Sequence, residues 1–144
     1  MIPIVKAIKT RWTNKSLATT ITGGIHHSTT RAREGMPYCI FQEIGTPITG
    51  HDRSKTCGIF KVQFEVFTND GNPETSGDAA LSVLQAMEYS DKAGTNPLSV
   101  GENVSIKTVQ ADTEVRTVEA GEDIYRSFFT MSFYWTKART LAPA

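Results

Sequence analysis

The sequence predicts an α+β fold in which two helices pack on one face of an antiparallel sheet of four strands or slightly more. Four-residue apolar spacing indicates two amphipathic helices, and period-two alternation indicates strands. The order helix, strand, strand, helix, strand, strand keeps hairpin-linked strands apart from the helices, as in α+β proteins. The 144 residues suit one domain. We expect it to span residues 1–136, followed by a flexible tail at 137–144.

Each predicted helix carries one apolar stripe. The first begins at Pro3, which lacks only an N–H that the first turn does not use, and ends near Asn14. Its stripe recurs every four residues: Ile4, Ile8 and Trp12. The second helix runs to about Ser90, with the stripe Ala80, Val83, Leu84 and Met87. Three residues are candidates for its N-cap: Thr75, Ser76 and Asp78.

The strands are predicted from alternation and from turn residues. Pro37 starts a strand that runs from Tyr38 to Ile44, and the Gly- and Pro-rich segment from Thr46 to Cys57 is typical of a long hairpin loop. "IFKVQFEVFT" is the clearest strand, residues 104–111 and 114–118 are extended, and residues 124–135 form the last strand. The predicted core comprises Phe60, Val62, Phe64, Val66, Leu84, Phe129 and Phe133.

The second face of the predicted sheet is half apolar. Cys39 and Phe41 on the first strand, with Phe128 and Tyr134 on the last, are expected to lie opposite the core stripes. Apolar strand faces outside the core usually mark contact with another subunit. This favours an oligomer.

Composition argues against several classes of protein. Fifteen Lys and Arg balance fifteen Asp and Glu. Proteins that bind the phosphate backbone of nucleic acids usually carry an excess of basic residues. No run of about 18 apolar residues is present to span a membrane, and the Lys-interrupted amino terminus lacks a signal core. We therefore expect a soluble protein made in a cytoplasm, with Cys39 and Cys57 reduced.

No group of residues has the spacing of a catalytic or metal site. The side chains of His26 and His27 would point to opposite faces of a strand and are expected to be solvated loop histidines. Adding His51 and the two cysteines gives no CxxC or HxxxH motif. Cys39 lies in an apolar strand beside Glu43, whose charge would raise the pKa of the thiol, so a packed side chain is favoured over a nucleophile. We predict neither a metal nor a cofactor.

The charged loops leave alternatives open. Carboxylates alternate with arginines around the last turn, as at solvated hairpin ends: Glu114, Glu119, Glu122 and Asp123 alternate with Arg116 and Arg126. Basic residues cluster in two loops: Arg31 and Arg33, then Arg53 and Lys55. These loops either serve solubility or meet a partner protein or DNA.

The order of elements resembles the tail-completion and tail-terminator proteins of long-tailed bacteriophages. The likeness runs from the first helix through "GGI", "PYCIFQEI", "VQFEVFTND" and "GDAALSVLQAM" to "YRSFFTMSFYW", which is roughly Ile4 to Trp135. The segment "VSIKTVQADTEVRTVE" departs from the family pattern because it is more polar.

The resemblance implies a structural, non-enzymatic virion protein in the tail or neck, assembled in the host cytoplasm. Such proteins form a ring, commonly a hexamer, that stops tail-tube polymerisation and joins the tail to the head connector. It implies that His51, Arg53 and Lys55 contact the tube or the next ring. Lys61, Gln63 and Glu65 would face a neighbour or the lumen, through which DNA passes without specific binding. The alternatives are a connector-side neck protein, a small nucleic-acid-binding module, or an enzyme dependent on Cys39 or His27.

Overall fold

Two helices and seven strands make up the computed structural model, which describes residues 2–14, 16–27, 35–51, 55–90 and 104–138. The helices are α1 (Ile2–Asn14) and α2 (Pro73–Met87), with a 3₁₀ turn at Leu17–Thr19. The strands are β1 (Ile25–His27), β2 (Tyr38–His51), β3 (Lys55–Thr68), β4 (Tyr89–Ser90), β5 (Val104–Ala111), β6 (Arg116–Gly121) and β7 (Ile124–Ala138). The predicted α+β class is confirmed. β7 continues two residues into the segment predicted as a tail, and 139–144 lie outside the described residues.

The strands form one mixed sheet in the order β1-β2-β3-β7-β5-β4, with β6 also beside β7. All pairs are antiparallel except β1 with β2, where Ile25 lies opposite Cys39 and His27 opposite Phe41. The parallel pair is started by backbone bonds at a glycine turn, since the Gly23 N–H donates to Pro37 O and the Cys39 N–H to Gly24 O. A Cβ on Gly23 would overlap the carbonyl oxygen of Gly35, so this approach requires glycine.

β5 and β6 lie end to end along the same edge of β7. β5 pairs with its carboxyl-terminal half and β6 with its amino-terminal half. Between them the Asp112 N–H donates to Thr130 O at 2.9 Å, and the Thr130 N–H donates to Thr113 Oγ1 at 2.9 Å. A side chain thus replaces one backbone acceptor where the edge strand is interrupted.

The prediction of a long loop from Thr46 to Cys57 is wrong for the described residues of this segment. Its described residues continue β2 and begin β3, with Thr49 opposite Gly58 and His51 opposite Thr56. The register shifts between Ile44 and Ile48, at the position of Pro47, which has no N–H to donate to a ladder. His51 and Lys55 therefore lie on strands, and Arg53 lies outside the described residues.

The sheet extends well past the helices. Fourteen residues of β3 span about 46 Å, whereas the fifteen residues of α2 span about 22 Å. Phe60 and Trp135 stack at 5.5 Å near the limit of the buried core. From this limit outward the ends of β2, β3 and β7 form a projecting part of the sheet, which we call the arm (residues 48–51, 55–59 and 134–138), and β5 pairs with β7 along it.

Both helices lie on one face of the sheet, and the core is enclosed between them and that face. Ile8 and Trp12 of α1 and Val83 and Met87 of α2 belong to the same buried cluster as the central strands. The seven residues expected in the core are all buried there: Phe60, Val62, Phe64, Val66, Leu84, Phe129 and Phe133.

Cys39 and Phe41 were expected on the face opposite this core, and that expectation is wrong. They lie opposite Val66 and Phe64, so they share the helix-covered face and are fully buried. Alternation shows which residues of one strand share a face but not how that strand is aligned with its neighbour.

The boundaries of α2 also differ from the prediction. The N-cap is Asn72, whose side-chain oxygen accepts from the Glu74 N–H at 2.9 Å, and Pro73 takes the first helical position. The three predicted caps lie inside the helix, and Ser76 is buried. The helix ends at Met87 because Glu88 has extended backbone angles.

Candidate assembly surfaces

The face of the sheet opposite the helices is a broad surface of mixed polarity. We call it the helix-free face, and it consists of residues from the three long strands: Tyr38, Ile40, Gln42, Ile44, Ile59, Lys61, Gln63, Glu65, Phe67, Arg126, Phe128, Thr130, Ser132 and Tyr134. Most of these side chains are half-buried, and Lys61 is exposed. As predicted, Phe128 and Tyr134 lie on this face.

Cross-strand contacts order one end of the helix-free face, where β2 and β7 begin and β3 ends. The rings of Tyr38 and Phe67 stack at 5.0 Å. Arg126 donates to Glu65 Oε1 at 2.7 Å, and its guanidinium carbon lies 4.2 Å from the centre of the Phe128 ring. Because one arginine contacts both a carboxylate and an aromatic face, these side chains form a preorganised surface.

Three residues were expected to contact a neighbouring subunit or the lumen: Lys61, Gln63 and Glu65. Their side chains differ in how available they are for such a contact. Lys61 is exposed, and Gln63 lines a shallow depression of about 470 Å³ together with Thr130 and Phe128. Thr113, Glu114 and Arg116 complete its lining. Glu65 is already paired with Arg126. Lys61 and Gln63 are therefore the more available contacts.

Sequence reasoning missed a second surface, on the side of α2 that faces β5 and β6. Leu81 is 43% exposed in the middle of this helix. It borders a groove that is completed by the interruption between β5 and β6. The signal was available, since Leu81 is a large apolar residue outside the predicted stripe.

The residues considered for chemistry are engaged in structural contacts. Burial raises the pKa of the Cys39 thiol, and the charge of Glu65 raises it further, so the thiol stays protonated. The His27 Nε2–H donates to Glu43 at 3.0 Å, and the ring packs 5.0 Å from that of Phe41. These contacts pair the histidine with a carboxylate and leave the thiol packed.

The histidines are not solvated loop residues as predicted. Both lie in β1 and are half-buried, and the His26 Nε2–H donates to Gly23 O at 3.0 Å. Within the described ranges no three His, Cys, Asp or Glu side chains come together as metal ligands. Neither described helix is long and apolar enough to cross a membrane.

The fold is shared with a chain from a solved virion. No protein-family model and no curated protein matches the sequence. A chain in the structure of the virion of the native gene transfer agent (GTA) particle matches with a TM-score of 0.60 and 13% sequence identity. The match covers 83% of this chain and 84% of that one. It extends over most of both molecules, so the two chains have the same overall architecture.

Proposed function

We propose that this chain is a structural virion protein that assembles as a ring at the head-proximal end of a phage tail. There it ends polymerisation of the tail tube and joins the tail to the head connector. The observation that carries the proposal is the fold shared, over more than four-fifths of both chains, with a component of a virion. The order of sequence motifs resembling tail-completion and tail-terminator proteins supports the same role independently.

The helix-free face supports a role in assembly. Its half-buried aromatic and aliphatic side chains form a continuous surface with an ordered ion pair near one end. Interfaces between proteins combine aromatic and arginine side chains in this way. We assign this face, with Lys61 and Gln63, to a neighbouring subunit or to the lumen, through which DNA passes without specific binding.

The arm supports contact along the tail axis. It projects past the helices and carries His51 and Lys55 on its strands, and Arg53 lies between these two residues in the sequence, outside the described residues. β5 pairs with β7 along the arm, so four adjacent strands support the residues that would contact the tube. These three residues are the proposed axial contacts.

We propose a non-enzymatic role. The Cys39 thiol is buried and kept protonated, whereas a nucleophilic cysteine needs an accessible thiolate. His27 is hydrogen-bonded to Glu43. Both residues are better explained as parts of the β1–β2 pairing.

Native mass spectrometry and negative-stain microscopy test the ring directly. The expected result is one discrete oligomer, most simply six copies, seen as a ring. A protein that stays monomeric at high concentration and is missing from purified particles would refute the proposal.

A connector-side neck protein is the second candidate, since the same sequence motifs resemble both. Deleting the gene in the phage separates the two. Loss of a terminator leaves tails that grow past their normal length, whereas loss of a connector-side protein leaves tails of normal length that do not join heads.

A further inference from the structure

The two helices carry opposite charge on their outer sides. α1 contains Lys6, Lys9 and Arg11 and no carboxylate, whereas α2 contains Glu74 and Asp78 and no cation. Although the formal net charge is zero, the charges are separated into a basic surface and an acidic surface.

The basic surface of α1 lies on the solvent side of that helix. Arg11 is held against α2, since its Nε–H donates to Ala86 O at 2.6 Å. Four exposed residues remain at helical spacing: Lys6, Lys9, Thr10 and Thr13. We call these four residues the basic stripe.

The acidic surface is a groove with an apolar floor. It has a volume of about 410 Å³ and lies between α2 and the interruption that separates β5 from β6. Its lining is Leu81, Leu84, Ala111, Asp112, Thr113, Glu114 and Val115, which includes two carboxylates and no cation. We call it the acidic groove.

One further residue extends the acidic groove. The Asp112 carboxylate accepts from the Ser132 hydroxyl at 2.6 Å, and Ser132 belongs to the helix-free face, so Glu114 supplies the negative charge of the groove lining. Asp78 is exposed one turn before Leu81 and extends the negative rim along α2.

The two surfaces lie on opposite sides of the helical layer. α1 contacts β1, which is the first strand in the sheet order. The acidic groove lies beyond α2, beside β5 and β6 at the other side of β7. One subunit thus presents a basic surface on one side and an acidic surface on the other.

We propose that the basic stripe of one copy docks in the acidic groove of the next copy. Closed rings require two different surfaces per subunit that meet head to tail, and these surfaces satisfy that requirement by position and charge. The lysine ammonium groups pair with Asp78 and Glu114, while their aliphatic stems cover Leu81, which is 43% exposed. The proposal rests on the proposed ring and specifies its subunit contact.

Two charge-reversed variants test the contact. K6E/K9E gives α1 the same sign of charge as the acidic groove, and D78K/E114K gives the groove the same sign as α1. We expect each variant alone to associate at least about tenfold more weakly than the wild type, because like charges then meet at the interface. The four changed side chains are exposed, so far-ultraviolet circular dichroism and a cooperative melt should show that both variants fold.

Mixing the two variants gives the decisive measurement. The reversed stripe of K6E/K9E fits the reversed groove of D78K/E114K, and the two unchanged surfaces also fit each other. An equimolar mixture should therefore recover an oligomer with both variants in a 1:1 ratio by native mass spectrometry. If the mixture stays as dissociated as its components, the proposed contact is wrong.

A matched pair of substitutions tests the apolar floor. Leu81→Ala should weaken association several-fold. Val118→Ala should leave association unchanged. Val118 on β6 is an apolar residue that is 42% exposed, about as much as Leu81, but it does not line the acidic groove. Equal effects of the two substitutions would contradict the proposal.

Three outcomes separate this inference from the proposed function. A wild-type protein that never forms a ring in solution or in particles refutes the proposed function and this contact with it. A wild-type ring that is insensitive to all the charge reversals refutes only the contact. If K6E/K9E assembles normally but loses retention of a fluorescent DNA duplex, the basic stripe serves nucleic acid and the docking proposal is overturned.

Discussion

A buried chain of hydroxyl groups joins α2 to the sheet, and its removal gives a sharp test of the packing. The Ser127 Oγ lies 2.8 Å from Ser76 Oγ and 2.7 Å from Thr117 Oγ1, and both serines are fully buried. Ser127→Ala removes both bonds and leaves the Ser76 hydroxyl with only Tyr125 O, at 3.4 Å. A buried polar group that loses its partner costs about 1–3 kcal/mol, so we expect the free energy of unfolding to fall by about 2 kcal/mol.

The double variant distinguishes this explanation from a simple loss of contacts. Replacing both Ser76 and Ser127 by Ala removes donor and acceptor together, so the combined loss should be smaller than the sum of the single losses by about 1 kcal/mol. Urea unfolding measures the free energies, and calorimetry should show a shift of about 4 °C for each 1 kcal/mol.

Ser82→Ala on the same helix is the control for this cycle. The Ser82 hydroxyl donates to Asp78 O within the helix at 3.0 Å, and we expect a change within about 0.5 kcal/mol. Strict additivity of the Ser76 and Ser127 losses would show that the two hydroxyl groups act independently and would refute the reasoning.

Three further predictions concern glycine and cysteine residues. Gly23→Ala should destabilise the protein by at least about 2 kcal/mol in urea unfolding, because a Cβ there meets the carbonyls of Gly35 and Pro37. Gly77→Ala, where a Cβ has ordinary contact distances, should instead raise helix stability, and similar losses at both sites would contradict this account. Cys57 is exposed and Cys39 buried, so a thiol reagent should modify one cysteine in the native protein and the second only after unfolding. Because burial raises the pKa of Cys39, the native state keeps a proton that the unfolded state loses above about pH 8.5, and stability should fall with rising pH there by up to about 1.4 kcal/mol per pH unit. Cys39→Ala should reduce that slope, and an unchanged slope would refute the assignment.

The elements that could be predicted are those with local causes. The apolar spacing of α1 and the Pro near its start correctly gave a helix ending at Asn14. The alternation from Phe60 to Val66 correctly gave a strand with one buried face. In both cases the pattern within one segment determines which side packs against the core.

The errors have non-local causes. The segment from Thr46 to Cys57 has the composition of a loop, but its described residues become strands because β3 pairs along its whole length with β7, which comes about 70 residues later. The face occupied by Cys39 depends on its register with Val66, and that register is set by pairing between strands.

The sequence indicates one part of the acidic groove, the apolar Leu81 outside the predicted stripe, but it does not predict the groove itself, for a related reason. Leu81 and Glu114 are far apart in the chain and lie together only because β5 and β6 share one edge of β7. The helix-free face was anticipated in part, through Phe128 and Tyr134. Glu65 and Arg126 form an ion pair although they are 61 residues apart in the sequence, so no local sequence pattern predicts it.

The central position of β7 has a consequence for the order of events during synthesis. This strand is the last described element of the chain, yet it pairs with β3 on one side and with β5 and β6 on the other. On the ribosome, Phe64 meets Phe129, whose ring lies 5.2 Å away, only after residues 124–138 have emerged. The acidic groove needs the same strand, because both of the elements that complete it are held by β7. We therefore expect nascent chains to remain unable to join one another through this groove until residues 124–138 have emerged and have paired with β3, β5 and β6.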